Sequence, residues 1–325
     1  MRALVCKEFG AFEHLAIEEW DDPVPGDNEI LFDVRAAGIN FADILSVAGQ
    51  YQVQAELPFV PGNEAAGIVT TIGSKVTRFK PGDRIIGALR GGAFAEKSVI
   101  EEHLAIPLPE SLGFEAGAAY SVAYGTSYHA LKQGAALQAG ETVLVLGAAG
   151  GVGYAAVDIA KAMGATVIAA ASSQEKLDFA GEAGADHFID YSRESLKHAV
   201  KELTGGRGAD VVYDPVGGDL AEQALRATAW HGRFLVIGFA SGEIPRLPAN
   251  LLLLKEASAI GIWYGTWAEK HGDEVMQNVQ EMAGLIATGE LQPRYSQAFA
   301  LEDFADAFRV LTERRVLAKV VLTMG

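Results

Sequence analysis

The amino-acid sequence predicts an α/β protein, a doubly wound parallel sheet joined to a smaller, strand-rich β-barrel portion. Three observations carry the prediction. The run Thr142-Val-Leu-Val-Leu-Gly-Ala-Ala-Gly-Gly-Val-Gly153 is an apolar strand ending in a glycine-rich turn, and it leads straight into the helical periodicity of Tyr154–Met163. From residue 142 onward β and α patterns alternate, as parallel strands joined by helical crossovers do. Before that, short alternating strands separated by glycine and proline turns follow one another at a spacing that suits a small barrel.

The elements run in this order. Gly26-Asp-Asn opens the alternating strand Glu29–Arg35, and Gly67–Ile72 is a second. The turn Pro81-Gly-Asp introduces a third strand, Arg84–Leu89, and Gly91-Gly92 precedes Phe94–Ile100. Helical character starts near Ser111 and continues past Leu131. After the glycine turn and its helix, Gly164 precedes the strand Thr166–Ala170. Val211–Asp214, a helix over 219–229 and Arg233–Ile237 continue the alternation. The tail holds a strand at Ala257–Tyr264, a helical run over 272–287 and a last strand at Ala318–Thr323. The doubly wound portion therefore reads as an insertion, 120–260, in a discontinuous β-rich portion made of 1–119 and 261–325.

Strand, glycine turn, helix, strand is the arrangement that holds a dinucleotide's pyrophosphate. In the segment Gly150, Gly151, Val152, Gly153, the first glycine lets the backbone approach the phosphates and the last lets helix and strand pack closely. The helix N-terminus presents N–H groups to the anion. Ala148 takes the first glycine slot, with Gly147 one place earlier, which is tolerable where φ stays negative at the alanine. NAD-selective folds place an acidic residue about twenty positions past the turn, to bind the ribose 2′-hydroxyl. Here that place reads Ala171-Ser172-Ser173, so no carboxylate opposes a 2′-phosphate and the main bar to NADP is removed.

Composition narrows the classes. At 325 residues the chain has room for two domains, and 50% hydrophobic with 21% charged residues is ordinary for a globular protein. The formal net charge of −16 argues against nucleic acid and against anionic membrane surfaces. A single cysteine, Cys6, leaves no disulfide framework and no cysteine-based zinc cluster, and it fits a reducing cytoplasm. Charge follows Met1 too soon for a signal peptide. The apolar region 142–171 is broken by glycines, Asp158 and Lys161, which reads as a buried sheet and helix and not as a membrane span.

With these residues in view, the chain resembles the zinc-independent quinone oxidoreductases of the medium-chain dehydrogenase/reductase superfamily, nearly end to end. The resemblance rests on Ala37-Gly-Ile-Asn-Phe-Ala-Asp43, Pro61-Gly-Asn-Glu-Ala-Ala-Gly67, Lys80-Pro-Gly-Asp-Arg84, Ala148-Ala-Gly-Gly-Val-Gly153 and Asp214-Pro-Val-Gly-Gly218, which stand in the family's order. It implies a GroES-like β-barrel catalytic domain and a Rossmann domain. Zinc-dependent members of the superfamily carry cysteine where Asn40 stands and histidine where Asn63 stands. An amide oxygen is a poor donor for zinc, so no metal is expected. None of the seven histidines forms a spaced pair with another ligand, and His103, His129 and His231 are expected on surfaces or at helix ends.

The resemblance also implies roles for particular residues. Lys176 matches a lysine that binds the 2′-phosphate, Tyr191 a tyrosine packed by the adenosine phosphate, and Thr126 a residue near the nicotinamide. Phe239, Ala240 and Ser241 match the loop laid against the nicotinamide, and Arg314 an arginine reaching the cofactor from the tail. The family often has glycine where Ala318 stands. A quinone or an α,β-unsaturated carbonyl gains negative charge on oxygen as hydride arrives, and without a metal, protein donors or water must stabilise it. Asn40 would donate through its amide, and Tyr51 would anchor the carbonyl or supply a proton. Asp43, one helical turn after Asn40, suits a capping role.

The expected function is a metal-free, NADPH-dependent reductase of quinones or α,β-unsaturated carbonyls. A rival is an enoyl-thioester reductase, which needs a basic groove for an acyl carrier's phosphate, and no lysines or arginines cluster near Tyr51. Another is a non-catalytic NADPH-binding protein, since a fold does not fix a function. Ala257–Tyr264 carries neither charge nor proline to protect a sheet edge, which suggests pairing with its own copy, and the resemblance implies a homodimer through that strand.

Overall fold

A computed structural model describes residues 1–325. The chain divides into two compact units, Met1–Val122 with Pro293–Gly325, and Ala123–Gln292. No helix is long and apolar enough to cross a membrane.

The first unit opens with an antiparallel pair, β1 (Arg2–Val5) and β2 (Ala16–Glu19). Then follow β3 (Glu29–Ile39), α1 (Phe41–Val47), β4 (Glu64–Ile72), β5 (Arg84–Ala88), β6 (Lys97–Glu101), β7 (Ala105–Pro107) and α2 (Phe114–Ala118). Every second side chain of β3 from Ile30 to Ala36 is buried, the period of a strand with one face on a core. It pairs antiparallel with β4 on one side, Val34 opposite Gly67. At Gly67 an added Cβ would come 2.1 Å from the Asp33 carbonyl oxygen, so only glycine lets the two strands approach. The strand expected at Phe94–Ile100 begins only at Lys97. Phe94 is wholly buried, and its carbonyl accepts the Leu4 N–H at 2.8 Å instead of joining that ladder.

The second unit contains α3 (Ser121–His129, its first two residues falling with the first unit), β8 (Thr142–Leu146), α4 (Gly151–Ala162), β9 (Thr166–Ala171), α5 (Gln174–Gly181) and β10 (His187–Asp190). Then come α6 (Leu196–Leu203), β11 (Ala209–Asp214), α7 (Gly218–Ala227), β12 (Thr228–Val236), α8 (Ala249–Leu253), β13 (Ser258–Gly261), α9 (Tyr264–Lys270) and α10 (Gly272–Ala287). The six strands lie in the order β10-β9-β8-β11-β12-β13, all parallel. The winding reverses between β8 and β11, and in such sheets ligands bind beyond the carboxyl ends of the strands at that reversal. All five residues of β8 are buried, as a central parallel strand covered on both faces requires.

The first unit is completed from the tail by β14 (Gln297–Ala300), α11 (Phe304–Thr312) and β15 (Val320–Thr323). β15 pairs antiparallel with β3, Val320 opposite Ile39. Its sheet has the order β14-β15-β3-β4-β5-β7, with β6 also on β3. The return to this unit comes at Pro293, later than the 261 read from the sequence. Residues 261–292 pack with the second unit for identifiable reasons. Lys132 and Gln133 bond Asn278 at 3.0 and 2.9 Å, Tyr128 bonds Glu281 at 2.6 Å, and Trp267 stacks on His129 with ring centroids 3.9 Å apart. The strand expected over 257–264 shortens to Ser258–Gly261 because the chain turns at Trp263 into α9. There the Tyr264 ring fills the space over Gly125.

Candidate functional site

The glycine turn sits at the carboxyl end of β8. Gly147 takes the left-handed conformation, φ +57°, while Ala148 does not, so the methyl in the first glycine slot meets no backbone strain. Gly153 has no alternative. An added Cβ would come 2.1 Å from the Gly147 carbonyl oxygen. Gly150 is different, because a Cβ there would meet the same oxygen at an ordinary 3.4 Å. The protein's own packing does not demand glycine at 150. Helix geometry leaves the N–H groups of Gly151, Val152 and Gly153 without intrahelical acceptors, aligned with the positive end of the α4 dipole.

At the end of β9, Ser173 caps α5 and accepts the Lys176 N–H at 3.4 Å. The Lys176 ammonium donates to the Ser172 hydroxyl at 3.3 Å. The Tyr191 N–H donates to the Ala171 carbonyl at 3.1 Å, which brings the end of β10 beside them. Ser172, Ser173, Lys176 and Tyr191 thus gather at neighbouring strand ends, with an ammonium and hydroxyls where an NAD-selective site holds a carboxylate.

The Phe239–Ser241 loop leaves β12 and is zipped to the loop after β11. Ala240 N–H donates to the Pro215 carbonyl at 3.0 Å and Ser241 N–H to that of Val216 at 2.9 Å. The Asp214 carboxylate shapes that second loop by accepting the N–H groups of Val216 and Gly217 at 2.8 and 2.9 Å. Burial pushes its carboxyl above the ordinary range despite those bonds. Gly217, at φ +72° and ψ −153°, occupies backbone space that glycine alone adopts freely. Sequence reading picked out Asp214–Gly218 only as a family motif, and its job here is to hold the neighbouring loop.

In the first unit, Asn40 precedes α1 and is 9% exposed. Its amide nitrogen donates to Glu64 Oε1 at 2.9 Å and lies 3.5 Å from the Gly38 carbonyl. Its amide oxygen accepts from Lys319 Nζ at 2.6 Å. Lys319 and Glu64 form a buried ion pair, 4% and 0% exposed, and the ammonium also bonds the Ile39 carbonyl at 3.1 Å. The second Glu64 oxygen accepts the Val122 N–H at 2.8 Å. Asp43, wholly buried, accepts the Asn40 N–H at 2.7 Å and the Asn63 amide at 2.5 Å. Desolvation is the largest influence on the Asp43 carboxyl and pushes it up to about 7. Asp43 is therefore the capping residue its spacing suggested. Neither Lys319 nor Glu64 was singled out by sequence.

The remaining expected residues stand as follows. Tyr51 is half-buried in the loop after α1, with its N–H on the Leu45 carbonyl at 3.2 Å. Thr126 is half-buried on α3. Arg314 belongs to the first unit, where it follows α11 at φ +56° and donates its N–H to the Leu311 carbonyl at 3.0 Å. Ala318 is buried at φ +48°, a left-handed position that explains why glycine suits it. His129 is buried at the end of α3, whereas His103 and His231 have exposed side chains.

Comparison with known proteins is consistent along the chain. Residues 26–110 match the family model described as alcohol dehydrogenase GroES-like domain, and residues 151–281 the one described as zinc-binding dehydrogenase. A quinone oxidoreductase-like protein 2 homolog of Nematostella vectensis is 42% identical over 324 residues, covering 99% of this chain and 88% of its own. The structure of Escherichia coli quinone oxidoreductase complexed with NADPH matches with a TM-score of 0.93 at 31% identity, over the whole of both chains. The crystal structure of CurK enoyl reductase matches with a TM-score of 0.90 at 26% identity, over 100% of this chain and 99% of that one.

Proposed function

The chain belongs to the quinone oxidoreductase family of the medium-chain dehydrogenase/reductases, and from that premise we propose that it is an NADPH-dependent, metal-free reductase of quinones or α,β-unsaturated carbonyls. One observation carries the reading. The glycine turn at the N-terminus of α4 stands beside a β9 terminus bearing Lys176 and two serines and no carboxylate. When bound, NADPH supplies the hydride. The residues of this chain do the rest. Gly150, Gly151, Val152 and Gly153 hold the pyrophosphate through backbone N–H groups, while Lys176, with Ser172, Ser173 and Tyr191, takes the 2′-phosphate. Thr126 and Phe239–Ser241 serve the nicotinamide, and Arg314 reaches the cofactor from the tail.

Asn40 and Tyr51 serve the substrate carbonyl. The Asn40 amide is clamped between Glu64 and Lys319, and one of its hydrogens has no better acceptor than the Gly38 oxygen at 3.5 Å. That hydrogen is the donor for developing oxyanion charge. The metal-free reading rests on donor chemistry, since amide oxygens are poor donors for zinc and that of Asn40 already accepts from an ammonium. The relationship to an enoyl reductase structure keeps a thioester substrate in view. The exposed segment 52–57, however, carries a single charge, Glu56, and no basic residue for an acyl carrier's phosphate. For assembly, β13 lies at the sheet edge with Leu253, Leu254 and Trp263 exposed near it, which suits pairing of two copies.

The test is NADPH and NADH oxidation against a panel of quinones, enones and enoyl thioesters. Turnover of quinones or enones with NADPH preferred is expected. Equal, background rates across the panel with tight NADPH binding intact would overturn the enzymatic reading.

A further inference from the structure

The first turn of α4 is poorly built for rigidity. Three of the four residues Gly150–Gly153 are glycine, each costing about 1 kcal/mol of helix propensity relative to alanine. No side chain caps the helix at Gly150. Yet a turn that binds an anion through backbone N–H groups gains affinity from holding them fixed beforehand. Something outside α4 must supply that order.

Ser127, on α3, is wholly buried, and its hydroxyl lies 2.9 Å from the Val152 carbonyl oxygen, in the middle of the glycine turn. It also lies 2.8 Å from the Tyr213 hydroxyl, wholly buried on β11. The direction of both bonds is fixed by chemistry. A carbonyl only accepts, so Ser127 donates to Val152, and Tyr213 must then donate to Ser127. Burial pushes the Tyr213 phenol up, which keeps it protonated and a donor. One turn before Ser127 on α3, the Tyr124 hydroxyl donates to Asp158 at 2.7 Å, further along the same α4. Two polar bonds from buried side chains thus rivet α3 to α4, one of them at Val152 in the glycine turn.

We infer that Ser127 and Tyr213 are positioning residues for the cofactor, a relay from β11 through α3 that holds the glycine turn in its binding conformation. The inference rests on the cofactor reading above. The relay acts on the pyrophosphate turn, which NADPH and NADH share, so it contributes to affinity and not to the choice between them. Tyr213 acts only through Ser127. Its loss leaves the bond to Val152 in place and has the smaller effect.

The experiment is equilibrium binding of NADPH and NADH by nucleotide fluorescence to wild type, Ser127→Ala and Tyr213→Phe, well below each variant's melting temperature, with kcat at saturating NADPH. Ser127→Ala should raise both dissociation constants by a common factor of about 2 to 10, the worth of one hydrogen bond, with kcat nearly unchanged. Tyr213→Phe should raise both by less. Unchanged Kd in folded Ser127→Ala, a rise for NADPH alone, or a Tyr213→Phe effect as large as that of Ser127→Ala overturns the relay. If Ser127→Ala does not fold, unchanged binding by Tyr213→Phe overturns it. Those results leave the cofactor reading standing. Wild type that binds neither nucleotide overturns that reading, and the relay with it.

Discussion

Lys319→Met would strand a buried charge in the first unit. The ammonium is 4% exposed and its three donors go to Glu64, the Asn40 oxygen and the Ile39 carbonyl. Methionine fills a similar volume but leaves the Glu64 carboxylate, 0% exposed, without a counter-charge. Removing one partner of a buried pair costs about 3–5 kcal/mol. Here Glu64 keeps the Asn40 amide at 2.9 Å and the Val122 N–H at 2.8 Å, which sets the expectation at the lower end, about 3 kcal/mol. At a urea m-value of about 2 kcal/mol/M, the midpoint falls by about 1.5 M. Trp20 is the one tryptophan of the first unit, so its fluorescence in a background lacking Trp230, Trp263 and Trp267 reports on that unit. The double variant Lys319→Met/Glu64→Gln removes the stranded charge and should be no less stable than Lys319→Met alone. A single-variant cost under about 1 kcal/mol, or a double variant as unstable as the sum of the singles, would show that the pair does not carry the charge balance argued for it.

Other expectations follow from the same geometry. The folded Asp43 carboxyl is held up at about 7 against an ordinary 3.8, so the folded state binds that proton more tightly than the unfolded chain. Its contribution to stability is present below about pH 4 and lost as pH rises towards 7, by at most about 4 kcal/mol, and Asp43→Asn should flatten the urea-midpoint profile in that window. Lys176→Ala should weaken NADPH binding by about 1.5–3 kcal/mol and leave NADH nearly unaffected in calorimetry. Gly150→Ala should melt like wild type but bind NADPH poorly, whereas Gly153→Ala, with its methyl 2.1 Å from a carbonyl oxygen, should also lose thermal stability. Ile260→Pro, in mid-β13, should convert a wild-type dimer to monomer in light scattering, and a wild-type monomer at micromolar concentration ends the dimer reading.

What the sequence revealed and what it hid divide by range. The glycine turn, the alternation beyond it and the Asp43 cap are local patterns, set by backbone rules that act within a few residues. Even the Ala148 departure was legible, because the chain puts its left-handed residue at Gly147. Lys319 was not, since 255 residues separate it from Glu64 and nothing near it in sequence marks it as buried. The tail boundary was hidden for the same reason, because α9 and α10 are held by Tyr128, His129, Lys132 and Gln133, far earlier in the chain. Tyr213 left one trace, a hydroxyl following the apolar Val211 and Val212 of β11, which in a covered parallel strand must find a partner.

The chain's net charge of −16 raises the question of how it holds a polyanionic cofactor. The answer lies in where the negative charge is spent. Surface carboxylates more than about 8 Å away are screened at physiological salt. The dangerous ones are those at the carboxyl ends of the parallel strands, Asp190 on β10 and Asp214 on β11. Both are buried. Asp190 accepts the Ser192 N–H at 3.0 Å and its hydroxyl at 2.5 Å, and lies 3.3 Å from Arg193. Asp214 accepts two backbone N–H groups of its own loop. Each carboxylate is thereby used to shape a turn. At those strand ends also stand the α4 N-terminus, the Ser172 and Ser173 hydroxyls and the Lys176 ammonium, which donates to Ser172. An acidic protein thus keeps an anion site by converting its nearest acids into loop scaffolding. By this logic Asp190→Ala would open the loop bearing Tyr191 and lower NADPH affinity, although it removes a negative charge from beside the site.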